Sequence, residues 1–232
     1  MTTATPSKRK LALFDLDHTL LAGDSDFEWP RFLIQRGILD AAEYEERNSH
    51  FYRQYQNGTL DMNEYLAFIL APLTRYSRAE LDALHADYLE HRIKPLIPQR
   101  ARQQLAAHAA EGDEIVIITA TNRFITGPIA RELGVEHLIA IELEEDAAGN
   151  FTGRHTGVLS FKEGKITRIE QWLAERGESW DSYGESFFYS DSHNDLPLMK
   201  LVDRPVAVNP DDKLRAHAEA HGWPVISLRD EA

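Results

Sequence analysis

Between residues 11 and 20 the chain reads Leu-Ala-Leu-Phe-Asp-Leu-Asp-His-Thr-Leu, and no other stretch restricts its possible folds so strongly. Leu11 to Phe14 form a short, continuous apolar run, the pattern of a strand buried on both faces. Such strands belong to sheets that carry helices on each side. The run ends in two carboxylates one residue apart, Asp15 and Asp17, and a strand period of two puts both on one face. In open α/β sheets the ligand crevice lies beyond the carboxyl ends of the strands, so both acids stand where chemistry can occur.

Two carboxylates this close repel each other unless a cation lies between them or one keeps a proton. Hard oxygen ligands of this kind suit Mg²⁺, which is commonly held by one or two carboxylates together with waters and substrate phosphate oxygens. An isolated Asp-x-Asp also fits a strand that simply ends in a solvated turn.

At 232 residues the chain is long enough for one α/β domain with an insertion, or for two small domains. Its formal net charge of −13 argues against nonspecific attraction to nucleic acid or to an anionic membrane surface. A phosphorylated ligand would have to be met by local cations and amides, not by the overall field. Cysteine is absent, which excludes disulfides and Cys-ligated zinc. No apolar run approaches the roughly 18 to 20 residues that span a bilayer. Met1 to Lys10 lacks the apolar core of a secretory signal and reads as a short disordered lead, so the expected location is cytoplasmic. Asn57-Gly-Thr59 and Asn150-Phe-Thr152 match the glycosylation sequon but are assigned to turns.

Residues 23–94 interrupt the alternation of strand and helix. Apolar and aromatic residues recur there at near-helical spacing, and Asn57-Gly58, Pro72 and the capping pattern Ser77-Arg-Ala-Glu80 divide them into about four helices. Inserted just after the first strand, this segment would lie over the active-site end of the sheet as a cap, residues 23–94, on a core made of 1–22 and 95–232. In the core the expected elements are a helix over 99–111, a strand from Glu114 to Ile118, a helix from about Thr126 to Leu133 and a strand from His137 to Leu143. A hairpin returns over Phe151 to Leu159, with the acidic run 142–146 as its solvated edge. A helix from about Ile166 to Arg176, strands over 186–190 and Pro205 to Val208, a helix over 211–221 and a final segment Trp223 to Leu228 complete a doubly wound, mostly parallel sheet.

Asp15-Leu-Asp17-His-Thr19 resembles the first motif of the haloacid dehalogenase superfamily of phosphatases. Three more motifs of that superfamily follow in order. Ile115-Val-Ile-Ile-Thr119 resembles the second, Lys165 in Gly164-Lys165-Ile the third, with Lys162 as its rival, and Phe187-Phe-Tyr-Ser-Asp191-Ser-His-Asn194-Asp195 the fourth. The resemblance implies a Rossmann-like core with a helical cap and a catalytic role for each motif. Asp15 would attack phosphorus and Asp17 would act as general acid and then base. Mg²⁺ would be held by Asp15, by the carbonyl of Asp17 and by Asp191. Thr119, the N–H of Ala120 and Lys165 would meet the phosphate, with Asn194 and Asp195 supporting. Taken singly, Thr119 reads equally as a satisfied turn hydroxyl and Lys165 as a solvated side chain.

A helical cap at this position resembles the phosphoserine phosphatase branch, in which an acid nine residues after the nucleophile binds the substrate amine; here that position is Asp24. The same branch uses a cap arginine to hold the serine carboxylate, but the matching segment Glu64-Tyr-Leu-Ala-Phe-Ile69 has none, leaving Arg47, Arg53 or Arg75 as substitutes. A retained acid without the arginine favours an amino-alcohol phosphate, L-histidinol phosphate ahead of O-phosphoserine. A phosphatase or phosphotransferase for a sugar or nucleotide phosphate, and a non-catalytic phospho-ligand sensor, are the alternatives. His18 reads as a spacer and His193 as a neighbour of the site. His217 and His221, spaced i and i+4, could bind a metal but read better as a surface pair.

Overall fold

The structure is a computed structural model and describes residues 8–230. A single sheet of seven strands organises it: β1 (Leu11–Phe14), β2 (Glu114–Asn122), β3 (His137–Glu145), β4 (Phe151–Thr156), β5 (Ser186–Ser190), β6 (Arg204–Val208) and β7 (Val225–Ile226). Their order is β4-β3-β2-β1-β5-β6-β7, and every pairing is parallel except β3 with β4. β1 is therefore central, and its four residues have no exposed surface. Ala12 and Phe14 enter one apolar core while Leu11 and Leu13 enter the other, as a strand covered on both faces requires.

The first core packs α5 (Gln99–Glu111) and α6 (Arg123–Glu132) against the sheet, and the second packs α7 (Glu163–Glu175), α8 (Leu196–Met199) and α9 (Asp212–His221). Between β1 and α5 lie four α-helices, α1 (Ser25–Gln35), α2 (Ala41–Asn57), α3 (Met62–Leu70) and α4 (Arg78–Tyr88). Ser77 and Glu80 cap α4 reciprocally, as their spacing predicts, and Asp61 caps α3. The apolar cluster of these helices is continuous with the first core. Trp29 of α1 meets Tyr88 of α4 and Phe124 of α6, ring centroids 5.1 and 5.5 Å away.

Several boundaries differ from the sequence reading, each for a local reason. β2 runs on through Asn122, with its register against β3 shifting between Ile118 and Asn122, and α6 then begins at Arg123 because the Asn122 side chain caps it. β4 stops at Thr156, before a glycine, Gly157, in the left-handed region (φ +67°). The acidic edge of the β3–β4 hairpin is not simply solvated. Glu142 is held by Arg123 and Arg168, Glu144 by Arg154 and Glu145 by Arg78. The end of the expected disordered lead is also tied down. Arg9 and Lys10 accept backbone hydrogen bonds from Gly184 and Glu114 at 2.9 and 2.8 Å. The rest of that lead, residues 1–7, lies outside the described residues. Among the described residues no helix is long and apolar enough to cross a membrane.

Candidate active site

Strand register explains why distant acids meet. β1 and β5 pair with Phe14 opposite Tyr189, so Asp15 and Asp191 leave the sheet within one residue of the same level. Lys165, in the first turn of α7, reaches between Asp15 and a third acid: its Nζ lies 2.8 Å from Asp15 Oδ1 and 2.7 Å from Asp195 Oδ2. It is 2 % exposed, a burial that an ammonium tolerates only with such partners. The glycine before it is obligatory, because a Cβ on Gly164 would sit 2.0 Å from the Leu159 carbonyl oxygen. Ser190 Oγ donates to Asp195, and Thr19 Oγ1 donates to Asp191 Oδ1 at 3.1 Å.

Asp17 is held differently. Its Oδ1 accepts from the Ser25 N–H at 2.6 Å and its Oδ2 from the Thr121 hydroxyl at 2.9 Å. Burial, with Asp24 nearby, pushes its carboxyl up to about 6. Burial pushes Asp15 up to about 7 against the pull of Lys165, and holds Asp191 well above the usual carboxylate range, with Asp15 and Asp195 adding repulsion. Burial opposes the charge on Lys165, yet the two carboxylates prevail and raise its affinity for the proton.

The structure thus brings Asp15, Asp17, Asp191, Asp195 and Lys165 together, and it separates the two candidate lysines. Lys162 turns away, donating at 2.9 Å to the carbonyl of Gly58 just past α2. Thr119 and Ala120 line a cavity beyond Asp15 and Asp17; the Thr119 hydroxyl accepts from the Thr121 N–H at 3.1 Å, and Ser160 donates to its carbonyl. Asn194 is buried, but its amide donates to the Tyr55 carbonyl at 3.0 Å, so it ties the fourth motif to α2. Asp24 lines the same cavity while capping α1 through the Phe27 N–H, and burial pushes it up to about 6.

Across the cavity stand Phe27, Phe51, Tyr52, Tyr55 and Tyr65, and no lysine or arginine is among its described lining. Arg47 is instead stacked 4.5 Å from the Phe68 ring, and Arg53 and Arg75 are exposed. His18, at φ +56°, faces the Tyr52 hydroxyl at 3.3 Å. His193 pairs with Asp211 at 2.7 Å. His217 and His221 stack with ring centroids 4.0 Å apart, beside Trp223.

Four participants escaped the sequence reading. Thr121 and the Ser25 N–H fix Asp17, Asp26 lines the cavity, and Arg229 donates at 2.5 and 2.9 Å to the carbonyls of His18 and Leu21. The repeat Asp24-Ser-Asp26 carried a signal for Asp26, since it copies the spacing of Asp15 and Asp17. Nothing local marks Arg229, whose partners lie about two hundred residues earlier.

The haloacid dehalogenase-like hydrolase family model matches residues 12–200. Over 221 residues the chain is 49% identical to a histidinol-phosphatase of Neisseria meningitidis serogroup C (strain 8013), covering 95% of this chain and all of that protein. It is 30% identical to phosphoserine phosphatase SerB1 of Mycobacterium tuberculosis (strain ATCC 25618 / H37Rv), covering 94% of this chain and 70% of that one. Among solved structures, a protein of unknown function from Bordetella pertussis Tohama I superposes with a TM-score of 0.90 at 45% identity, over 96% of this chain and 100% of its own. A phosphoserine phosphatase bearing a phospho-aspartyl intermediate analogue superposes with a TM-score of 0.69 at 18% identity, over 97% and 96% of the two chains, which establishes likeness of fold alone. The chain belongs to the haloacid dehalogenase-like hydrolases. Within that family it is a phosphatase.

Proposed function

We propose that this phosphatase hydrolyses a small amine-bearing phosphomonoester, L-histidinol phosphate in the first place, through an aspartyl phosphate on Asp15. The observation that carries the reading is the cavity beyond Asp15: carboxylates at Asp24 and Asp26 face aromatic rings, with no arginine or lysine among its described lining. Such a wall receives a cationic leaving group and offers nothing to a carboxylate, which disfavours O-phosphoserine. The identity with the histidinol-phosphatase supports the same choice.

In this reading the Asp15 carboxylate attacks phosphorus as the bond from phosphorus to the alcohol oxygen breaks. Asp17, held by Ser25 and Thr121 and able to keep a proton near neutrality, gives that proton to the departing alkoxide. It then takes one from the water that releases inorganic phosphate. Lys165 fixes Asp15 in orientation and balances the charge that gathers around it. The Thr119 hydroxyl and the Ala120 N–H, at the end of the central apolar part of β2, would meet the phosphate oxygens. Asp24 would receive the amine. Residues 23–94 would form the unit that covers the substrate, over a core of 1–22 and 95–232.

The donor set fits Mg²⁺. Asp15, Asp191 and Asp195 are buried around a single lysine, so negative charge is in excess, and one oxygen each of Asp15 and Asp191 is engaged by Lys165 and Thr19. Among the described residues no three acidic or imidazole side chains are gathered closely enough to hold an ion by themselves, so waters, a carbonyl and the substrate would have to complete the octahedron. Asp15, Asp191 and the Asp17 carbonyl would hold it, and it would offset repulsion between the anionic nucleophile and the anionic phosphate. A cytoplasmic setting, with no nucleic-acid or membrane partner, completes the reading and accords with the net charge of −13.

The test is a panel of phosphomonoesters, including L-histidinol phosphate, O-phosphoserine, sugar phosphates and nucleotides, assayed with and without Mg²⁺. The expected result is preference for histidinol phosphate, dependence on Mg²⁺, and loss of turnover in Asp15→Asn. Preference for a sugar phosphate or a nucleotide would overturn the substrate assignment.

A further inference from the structure

Asp26 takes no part in the phosphoryl-transfer steps and has been given no nitrogen of its own to bind, yet it is buried in the wall of the substrate cavity, 6 % exposed. We propose that Asp26 is a specificity-determining residue that receives a second basic nitrogen of the leaving group, so that the enzyme selects phosphate esters of alcohols bearing two such nitrogens over those bearing one. The proposal rests on the reading of this cavity as the substrate site.

The geometry gives Asp26 a defined orientation. Tyr65 of α3 donates its hydroxyl to Oδ2 at 2.6 Å, and on the other side the Asn122 amide lies 3.4 Å from Oδ1, long for a hydrogen bond. The carboxylate is thus steered between α3 and the end of β2, with one oxygen only loosely engaged. Among the described residues, neither Asp26 nor Asp24 forms an ion pair; of the other acids at this end of the sheet, Asp15 and Asp195 share Lys165, while Asp17 and Asp191 are met by neutral donors and stand where the metal would be held. Tyr65 could donate to an asparagine oxygen just as well. A neutral residue would therefore serve the fold, and a carboxyl there becomes a charge when a basic partner from outside the chain meets it.

Two acids at a helix start do not by themselves make a binding site. Here they face an aromatic-lined cavity that reaches Asp15 and Asp17, and its lining specifies the ligand. The Phe51 and Tyr65 rings meet at 5.3 Å and Phe27 and Tyr52 at 5.1 Å, presenting ring edges and faces to whatever fills the space. Such walls suit a flat cationic or hydrogen-bonding heterocycle, to which Asp26 offers an acceptor, while Asp24, at the mouth of α1, takes an ammonium group. The selected leaving group is thus an amino alcohol carrying a planar nitrogen base.

The experiment compares kcat/KM for L-histidinol phosphate, phosphoethanolamine and p-nitrophenyl phosphate in the wild type, Asp26→Asn and Asp26→Glu, with circular dichroism melts to verify folding. In Asp26→Asn the ratio of kcat/KM for histidinol phosphate to that for p-nitrophenyl phosphate is expected to fall about 10- to 100-fold, chiefly through KM, as loss of a charged hydrogen bond predicts. The corresponding ratio for phosphoethanolamine should fall much less, and Asp26→Glu should recover part of the loss. A fall shared equally by all three esters would make Asp26 merely structural and overturn the assignment, as would unchanged ratios. If the wild type cleaves p-nitrophenyl phosphate but neither amine-bearing ester, the reading of the cavity itself fails. If the wild type prefers histidinol phosphate and Asp26→Asn keeps that preference, only the role of Asp26 fails.

Discussion

At Lys165 the whole charge balance of the site rests on one side chain. Removing it as Lys165→Met leaves Asp15 and Asp195 facing each other in a buried space, at an expected cost of about 3–5 kcal/mol in urea unfolding. A loss below about 1 kcal/mol would mean that water enters the site and screens the two acids. Asp26 works in the opposite direction. Burial, with Asp24 and Asp17 adding repulsion and the Tyr65 hydroxyl opposing, pushes its carboxyl up to about 8 from 3.8. Below the ordinary value both folded and unfolded chains carry the proton and nothing is lost. As pH rises through that value the unfolded chain releases its proton while the folded chain keeps it, so stability falls until about pH 8, where the folded group also ionises. Asp26→Asn is therefore expected to be more stable than the wild type, with a gap that is small at pH 4 and grows to a few kcal/mol, in order of magnitude, by pH 8. Asp17 and Asp24 titrate in both proteins and largely cancel from the difference. Urea titrations at three pH values check this, and a gap independent of pH would refute the claim that burial holds the proton on Asp26.

Among the elements, α2 and the C-terminal tail carry contacts that none of their own residues announce. The C-terminal end of α2 accepts hydrogen bonds from three residues of the sheet side, Asn194 to the carbonyl of Tyr55, Lys213 to that of Asn57 and Lys162 to that of Gly58. Two of the donors are cations at a helix C-terminus, where the helix dipole favours them. Gly58 makes the docking possible. It adopts φ +75°, and a Cβ there would stand 2.9 Å from His193 Nε2. Gly58→Ala is expected to lower stability by about 1–2 kcal/mol, read as a fall in melting temperature. The tail works at the other side of the insertion. Arg229 holds the carbonyls of His18 and Leu21, Asp230 caps α5 through the N–H groups of Gln99 and Arg100, and the two chain crossings bond directly, Ala22 N–H to the Leu96 carbonyl at 2.7 Å. Arg229→Ala should speed amide exchange across residues 16–24 more than elsewhere, measured by hydrogen exchange. Uniform exchange would show that the loop holds its shape without the tail. At this scale the alternation of apolar runs and turn signals placed most elements to within a few residues. It missed the extension of β2 because Thr119, Thr121 and Asn122 are polar, and the pairing that resumes at Asn122 opposite Ile141 of β3 is not legible in the chain.

For the molecule as a whole, the decisive feature is an excess of buried negative charge at one end of the sheet. A chain with this arrangement gains stability from any cation that binds only its folded form. Mg²⁺ at millimolar concentration is accordingly expected to raise the melting temperature by a few degrees, and Asp191→Asn should abolish the rise, a readout independent of turnover. A rise of equal size in both proteins would place the ion elsewhere.

How far the amino-acid sequence alone reaches is set by the range of the interactions involved. Short-range regularities determined the sheet and its helices: Leu11 to Phe14 could be read as a doubly buried strand, Ser77-Arg-Ala-Glu80 as a helix start, and the acids after two apolar runs as neighbours at the carboxyl end of one sheet. Residue type alone also excluded disulfides and Cys-ligated zinc. Only the tertiary structure decided which lysine meets Asp15, because Lys162 and Lys165 are chemically alike and just one turn of backbone at Gly164 aims the second inward. It likewise turned Asn194 toward α2, recruited Thr121 to Asp17 and brought Arg229 back to His18. A directional bond between groups far apart in the chain leaves no periodic trace in composition or spacing, and it comes into being only when the folded backbone sets donor and acceptor within about 3 Å of each other.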